Sequence, residues 1–249
     1  MNAGTVDELF TRELRDDRIG LVDATSREYD YHWLCTSSWQ AGNFLRHAGV
    51  REDVTVGVVG DGPLALLAFF GTTLLEGTTR FEPPTDLADA DDFRALVAPV
   101  SALEEYDLPR GAQRVGYGSN PDAPDVHHFD AGIWTENPSF PPLTIDPETA
   151  ILSDGERTVT HGELLEAARA VVAENDLEAD DRVVVRAPLS DPRAVAAGVI
   201  APLLVRGVIV LPDDEDGAAV ERGTYAVSSE SAETVPEAKR IEIDAVSLR

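Results

Sequence analysis

Gly60-Asp61-Gly62-Pro63-Leu64-Ala65 has the shape Gly-x-Gly-x-x-Ala and stands between an apolar run and a helix that Pro63 would start. Glycines in such a turn let the backbone approach a pyrophosphate, and a helix N-terminus attracts anions. Glu82, beyond the next strand, stands where an acidic residue would meet a ribose. A tight turn explains the same glycines. Asp125, His127, His128 and Asp130 are of metal-ligand type, but a site needs three or four converging ligands and nothing else clearly joins them, so no metal is expected. Cys35 is alone, which excludes a disulfide framework and a cysteine metal site. It reads as a small buried apolar residue. Ser153-Asp154-Gly155-Glu156-Arg157-Thr158-Val159-Thr160-His161 reads as strand, turn and strand, with His161 a local hydrogen-bonding group at a helix start. No Ser/His/Asp order and no carboxylate pair has a positional argument, so no catalytic residue is assigned. Trp33 and Trp39 point to different faces of one helix, one to the core and one to the rim of a groove.

The elements that position these residues occur twice. Leu21–Pro83 and Ile151–Pro212 share an order: apolar strand, polar turn, helix, acidic turn, valine-rich strand, Pro-started helix, Gly and a further strand. Asp53 answers Asp181, Pro63 answers Pro192, and Gly77 answers Gly207. Strands alternating with helices predict an α/β fold with two similar, mostly parallel subdomains. The expected division is 1–120, a linker at 121–145 rich in Pro, Asp, Gly and Asn, and 146–249. An amphipathic helix is expected over 5–16, with Val6, Leu9, Phe10 and Leu14 on one face. Gly49 is expected as a C-cap, and Asp86–Asp92 as the cap of a short helix. An acidic turn is expected at Asp213–Asp216.

The 249 residues are 43% hydrophobic and 27% charged, which is globular rather than disordered. The net charge is -26, and Lys239 is the only lysine. That charge disfavours nucleic acid and anionic membranes as partners. Acids spread along the chain, with Arg replacing Lys, look like a protein from a salt-loving organism, where the charge serves solvation. A polar N-terminus and the lack of a long apolar run predict no membrane span and a cytoplasmic location.

Taken in order, the residues resemble the N-terminal domain of the adenylate-forming enzymes, the superfamily of acyl-CoA synthetases, luciferases and peptide-synthetase adenylation domains. Tyr31-His32-Trp33-Leu34, Gly49-Val50-Arg51-Glu52-Asp53-Val54 and Leu75-Glu76-Gly77 resemble its opening motifs. Asp146-Pro147-Glu148-Thr149-Ala150 resembles the approach to the family's phosphate loop. Thr160-His161 and Leu164-Leu165 resemble the helix start after that loop, and Pro188-Leu189-Ser190 and Pro202-Leu203-Leu204 the elements beyond it.

The resemblance implies an ATP-gripping loop of the type Ser-Gly-Thr-Thr-Gly-x-Pro-Lys-Gly, whose glycines converge N–H groups on phosphate oxygens. Here the stretch is shorter, has one Gly and no Lys, and Asp154 and Glu156 would repel a triphosphate. If any cofactor-binding residues persist, they are Ser153, Gly155, Arg157, Thr160 and His161. No motif for adenine or ribose follows. The implied protein is a truncated, non-catalytic relative with a binding or regulatory role, acting on a full-length synthetase or through self-association. ATP or AMP with Mg remains open as a ligand. The alternatives are an acyl-CoA synthetase subunit completed by a partner chain, and a Rossmann-type nucleotide binder using Gly60 and Gly62.

Overall fold

The computed structural model describes residues 3–212, 222–229 and 235–248; the acidic turn at Asp213–Asp216 lies outside them. Ile19–Val22 (β1) and Glu28–Asp30 (β2) form an antiparallel hairpin that runs straight into helix Tyr31–His47 (α1). Then follow Thr55–Val58 (β3), Pro63–Thr73 (α2), Thr78–Phe81 (β4), Phe93–Pro99 (β5), Gln113–Tyr117 (β6), Val126–His128 (β7) and Phe129–Ile133 (α3). The later elements are Ala150–Ser153 (β8), Thr158–Thr160 (β9), His161–Asn175 (α4), Arg182–Val185 (β10), Pro192–Val195 (α5), Ala201–Val205 (α6), Val208–Val210 (β11), Tyr225–Ser228 (β12) and Lys239–Glu242 (β13).

The strands form two sheets. One is six-stranded, in the order β13-β12-β10-β11-β1-β2; the other is seven-stranded, in the order β7-β6-β5-β3-β4-β8-β9. Parallel pairing runs from β13 to β1 in the first and from β7 to β8 in the second. The fold class is therefore α/β with mostly parallel sheets flanked by helices. The compact units differ from the sequential halves: one takes Met1–Cys35, Asp146–Glu148 and Val159–Arg249, the other Thr36–Ile145 and Thr149–Thr158. The early hairpin β1–β2 joins the late sheet, with Leu21 opposite Ile209, and β8 joins the early sheet, with Thr79 opposite Leu152. Local patterning sets which residues form strands. The partner of each strand is a long-range choice that the pattern does not record.

The central strands are continuous apolar runs because helices cover a parallel sheet on both faces. In β10, Val183 and Val184 are fully buried, as are Val56 and Val58 in β3. Helix α2 is apolar all round and accordingly buried all round, with Leu66, Leu67, Phe69 and Phe70 at zero exposure. Phe69 and Phe81 meet at 5.7 Å between ring centres. Helix α1 crosses α2 at Gly71, where a Cβ would lie 2.8 Å from the backbone of Ala41 and Gly42. Backbone cannot yield as a side-chain tip can. Gly71→Val is expected to cost about 3 kcal/mol, read as a lowered denaturation midpoint; an unchanged midpoint would refute the close crossing.

Several expected elements differ from those observed. The 5–16 segment is two short 3-10 turns, Asp7–Leu9 and Arg12–Leu14, not one helix. Thr11 breaks it: its backbone is extended and its hydroxyl accepts from the Leu14 N–H at 3.3 Å. The predicted apolar residues Val6, Leu9, Phe10 and Leu14 are nonetheless all buried. Asp86–Asp92 forms turns, because Leu87 N–H donates to the Asp107 carbonyl at 2.9 Å and Asp107 N–H to that of Thr85 at 2.8 Å. The expected linker at 121–145 is built into the second unit instead. It supplies β7 and α3, and Phe129 and Ile133 are fully buried. Asn43 of α1 holds the carbonyls of Asn137 and Ser139, both at 3.0 Å. The Pro-started helix that begins at Pro192 carries a π-helical stretch, Ala196–Ile200, ahead of Pro202. Proline has no N–H to complete the regular ladder. Gly49 does adopt the left-handed backbone of a C-cap, with φ of +84°.

Candidate functional site

The strand β8, its turn and β9 occupy the place where the resemblance puts a phosphate loop. In this chain the turn is closed on itself. The Asp154 carboxylate accepts from the Glu156 and Arg157 N–H groups at 2.8 and 2.9 Å. The Gly155 N–H donates to the Ser153 hydroxyl at 3.1 Å, and the Asp154 N–H to the Arg157 carbonyl at 3.3 Å. Slight burial pulls the Asp154 carboxyl upward. The N–H groups of Arg157 and Glu156 and the Arg157 charge outweigh it and hold the group below the usual carboxylate range. A carboxylate thus sits where a phosphate oxygen would need the same donors. Across the turn, the Arg80 guanidinium covers the face of Gly155 that lacks a side chain.

The start of α4 is closed as well. The Thr160 hydroxyl accepts from the Glu163 N–H at 3.2 Å, and the Glu163 carboxylate accepts from the Thr160 N–H at 2.8 Å, which is a capping box. The Gly162 N–H donates to the Pro147 carbonyl at 2.8 Å. His161 is fully buried, and its Nδ1 accepts from the Val6 N–H at 3.1 Å. Burial pushes its pKa down to about 4, so the ring is neutral at pH 7. It is a structural group and offers no positive charge to a phosphate. Of the five sequence-predicted residues, Ser153, Gly155 and Arg157 lie in one compact unit and Thr160 and His161 in the other. The N–H groups of Gly155, Glu156, Arg157, Gly162 and Glu163 are hydrogen-bonded within the chain.

The Gly60 turn is likewise hydrogen-bonded within the chain. It lies at the switch point of its sheet, where β3 is flanked by β4 on one side and β5 on the other. Gly60 has φ of +98°, and its N–H donates to the Glu82 carboxylate at 2.6 Å. The side-chain space it vacates is filled by the Tyr117 hydroxyl, which donates to the Val59 carbonyl at 2.6 Å. Burial, and then the charges of Asp61, Glu82 and Asp130, push the Tyr117 hydroxyl well above the usual tyrosine range. The spacing of Glu82 suits a ribose partner, but its carboxylate holds the loop.

His127 and His128 are neighbours in a strand and face opposite sides. His127 bonds Gln113 at 3.1 Å, and Asp130 accepts from the Gly118 N–H at 3.1 Å. Among the described residues no group of three or more His, Cys, Asp or Glu side chains converges to hold a metal ion. Burial raises the Cys35 thiol to about 12, so it carries no thiolate at neutral pH. Trp39 is buried, whereas Trp33 is partly exposed and packs on Tyr29 at 4.2 Å between ring centres. No helix among the described residues is long and apolar enough to cross a membrane.

No protein-family model and no curated protein sequence matches the chain. Solved structures do. The anthranilate CoA ligase AuaEII, in complex with anthranoyl-AMP, superposes with a TM-score of 0.74 at 18% identity, over 92% of this chain and 50% of the ligase. A benzoate CoA ligase from Burkholderia xenovorans LB400 gives 0.74 at 18% identity, over 90% and 50%. The nonribosomal peptide synthetase FmoA3 in its AMPPNP-bound form gives 0.74 at 20% identity, over 93% of this chain and 26% of the synthetase. The chain spans about half the length of these ligases.

Proposed function

We propose that this chain, which has the fold of the N-terminal domain of adenylate-forming enzymes, is a non-catalytic member of that structural class. On this reading it acts as a binding or regulatory protein, on a full-length synthetase or through self-association. It uses neither ATP nor AMP with Mg. The supporting observation is the closed turn: the N–H groups of Gly155, Glu156, Arg157 and Glu163 bond the chain's own Ser153, Asp154 and Thr160 side chains. Phosphoryl and adenylyl transfer need preorganised positive charge at the reacting phosphate. The turn instead presents Asp154 and Glu156, and its neighbouring histidine is neutral. The same reading takes the net charge of -26 as solvation in concentrated salt rather than a partner surface.

Titration calorimetry of the purified chain with ATP and Mg²⁺, in high-salt buffer, tests this directly. No saturable heat into the millimolar range, and no carboxylate-dependent pyrophosphate exchange, are expected. Micromolar binding that weakens in an Arg157→Ala variant would overturn the proposal and restore the turn as a nucleotide site.

A further inference from the structure

A cavity of about 440 Å³ opens beside the β6–β7 edge of the seven-stranded sheet, well away in sequence from the closed turn. Its size is within the range of small-ligand pockets. Val100, Leu103 and Val126 converge as its apolar floor, directly over Gly116; a Cβ there would lie 2.6 Å from Val100, 3.1 Å from Leu103 and 3.2 Å from Val126. Arg114 stands in the wall, half-buried, with Nη2 donating to the Tyr106 carbonyl at 3.2 Å. Glu104, Asp122 and Asp125 are also in the lining.

The charges in this cavity are not matched to one another. Arg114 pairs with no carboxylate among the described residues, although three line the same cavity. Arg18, Arg182, Arg186, Arg193 and Arg206 each hold one. A purely cationic ligand would face the Arg114 charge, and a purely anionic one would face Glu104, Asp122 and Asp125. A zwitterion satisfies both signs, and an apolar arm suits the floor.

We infer that the cavity binds a small zwitterion with an apolar side chain, of the chemical class of an apolar α-amino acid. Its carboxylate meets Arg114, its ammonium meets Asp122 and Asp125, and its side chain covers Val100, Leu103 and Val126. Charged hydrogen bonds in such a site carry enough free energy that losing one weakens binding roughly tenfold or more. This inference does not depend on the closed turn, so each reading can fail without the other.

The test is calorimetric titration of the full chain with leucine, methionine and phenylalanine, beside 4-methylpentanoate and isopentylamine, which each lack one charge. At least one amino acid is expected to bind saturably, with both analogues weaker by roughly tenfold or more. Arg114→Gln is expected to bring that amino acid down to the level of the amine. Ala123→Trp, on the exposed wall, is expected to abolish binding by filling the cavity while circular dichroism stays native. The proposal is overturned if none of the amino acids binds into the tens of millimolar. Isopentylamine binding as tightly as the amino acid, or binding that survives Ala123→Trp, overturns it equally.

Discussion

Replacing Glu237 with Ala is expected to lower the unfolding free energy by about 3–5 kcal/mol, among the largest single effects available in this chain. The Glu237 side chain is fully buried and bridges Arg186 twice, at 2.8 Å to Nε and 2.6 Å to Nη2. It also accepts from the Arg222 N–H at 3.3 Å. Arg186 is itself only 11% exposed, so removing the carboxylate takes two charged hydrogen bonds from a guanidinium held largely out of water. The cost is that of a buried charge deprived of its bidentate carboxylate, which exceeds the net worth of the pair. Two controls follow from this distinction. Arg186→Met combined with Glu237→Leu removes both charges and should recover most of the loss. Asp180→Asn, which removes the charge of the Arg18–Asp180 pair at 2.9 Å and still suits the left-handed backbone at this position, should change little, since the partners are 35% and 75% exposed. Denaturation midpoints of the four proteins decide the matter. A single Glu237→Ala variant as stable as the parent would mean that Arg186 finds water or another acid.

The sequence carried the elements further than their arrangement. Pro63 at the start of α2, the left-handed Gly49 after α1 and the valine runs of β3 and β10 are local features with local causes, and they form as their residues dictate. The exchange of hairpins between the two sheets is invisible in the same residues, because Leu21 opposite Ile209 is a pairing across most of the chain. Val126–Ile133 escaped for a different reason. Its strand has three residues and its helix five, too few to show a period, and Pro and Asp before it read as loop. At the candidate site, the closed turn was legible in part: Asp154 two residues before Glu156 is a familiar way for a side chain to occupy turn N–H groups. Tyr117 filling the space at Gly60 was not legible, since the two stand 57 positions apart in the chain. The Arg114 cavity was likewise beyond sequence reasoning. Its lining comes from the 3-10 turn at Val100–Glu105, β6 and the segment entering β7, and no spacing relates them.

His161 makes the stability of the chain depend on pH in a direction its burial dictates. Its ordinary value is 6.5, and burial alone lowers it to about 4 in the folded chain. Between those values the unfolded chain holds a proton on this ring that the folded chain does not. Unfolding therefore takes up a proton there, and stability rises with pH. The contribution is complete above pH 6.5 and is lost as the pH falls toward 4. Each pH interval of one between the two values is worth about 1.4 kcal/mol, so the full effect is roughly 3 kcal/mol. The chain's many carboxylates titrate near the lower end of that window, so the parent alone would not isolate the ring. Comparison with His161→Gln does, because glutamine can still accept from the Val6 N–H but cannot take a proton. Between pH 6.5 and 4 the parent is expected to lose stability more steeply than the variant, with the curves parallel above pH 7. Curves parallel throughout would mean that the ring gains a partner for its proton, and that the N-terminal segment lifts from α4 before the ring is charged. Imidazole NMR shifts across the same range would separate those cases, since a ring still bonded to Val6 keeps Nδ1 unprotonated until the chain unfolds.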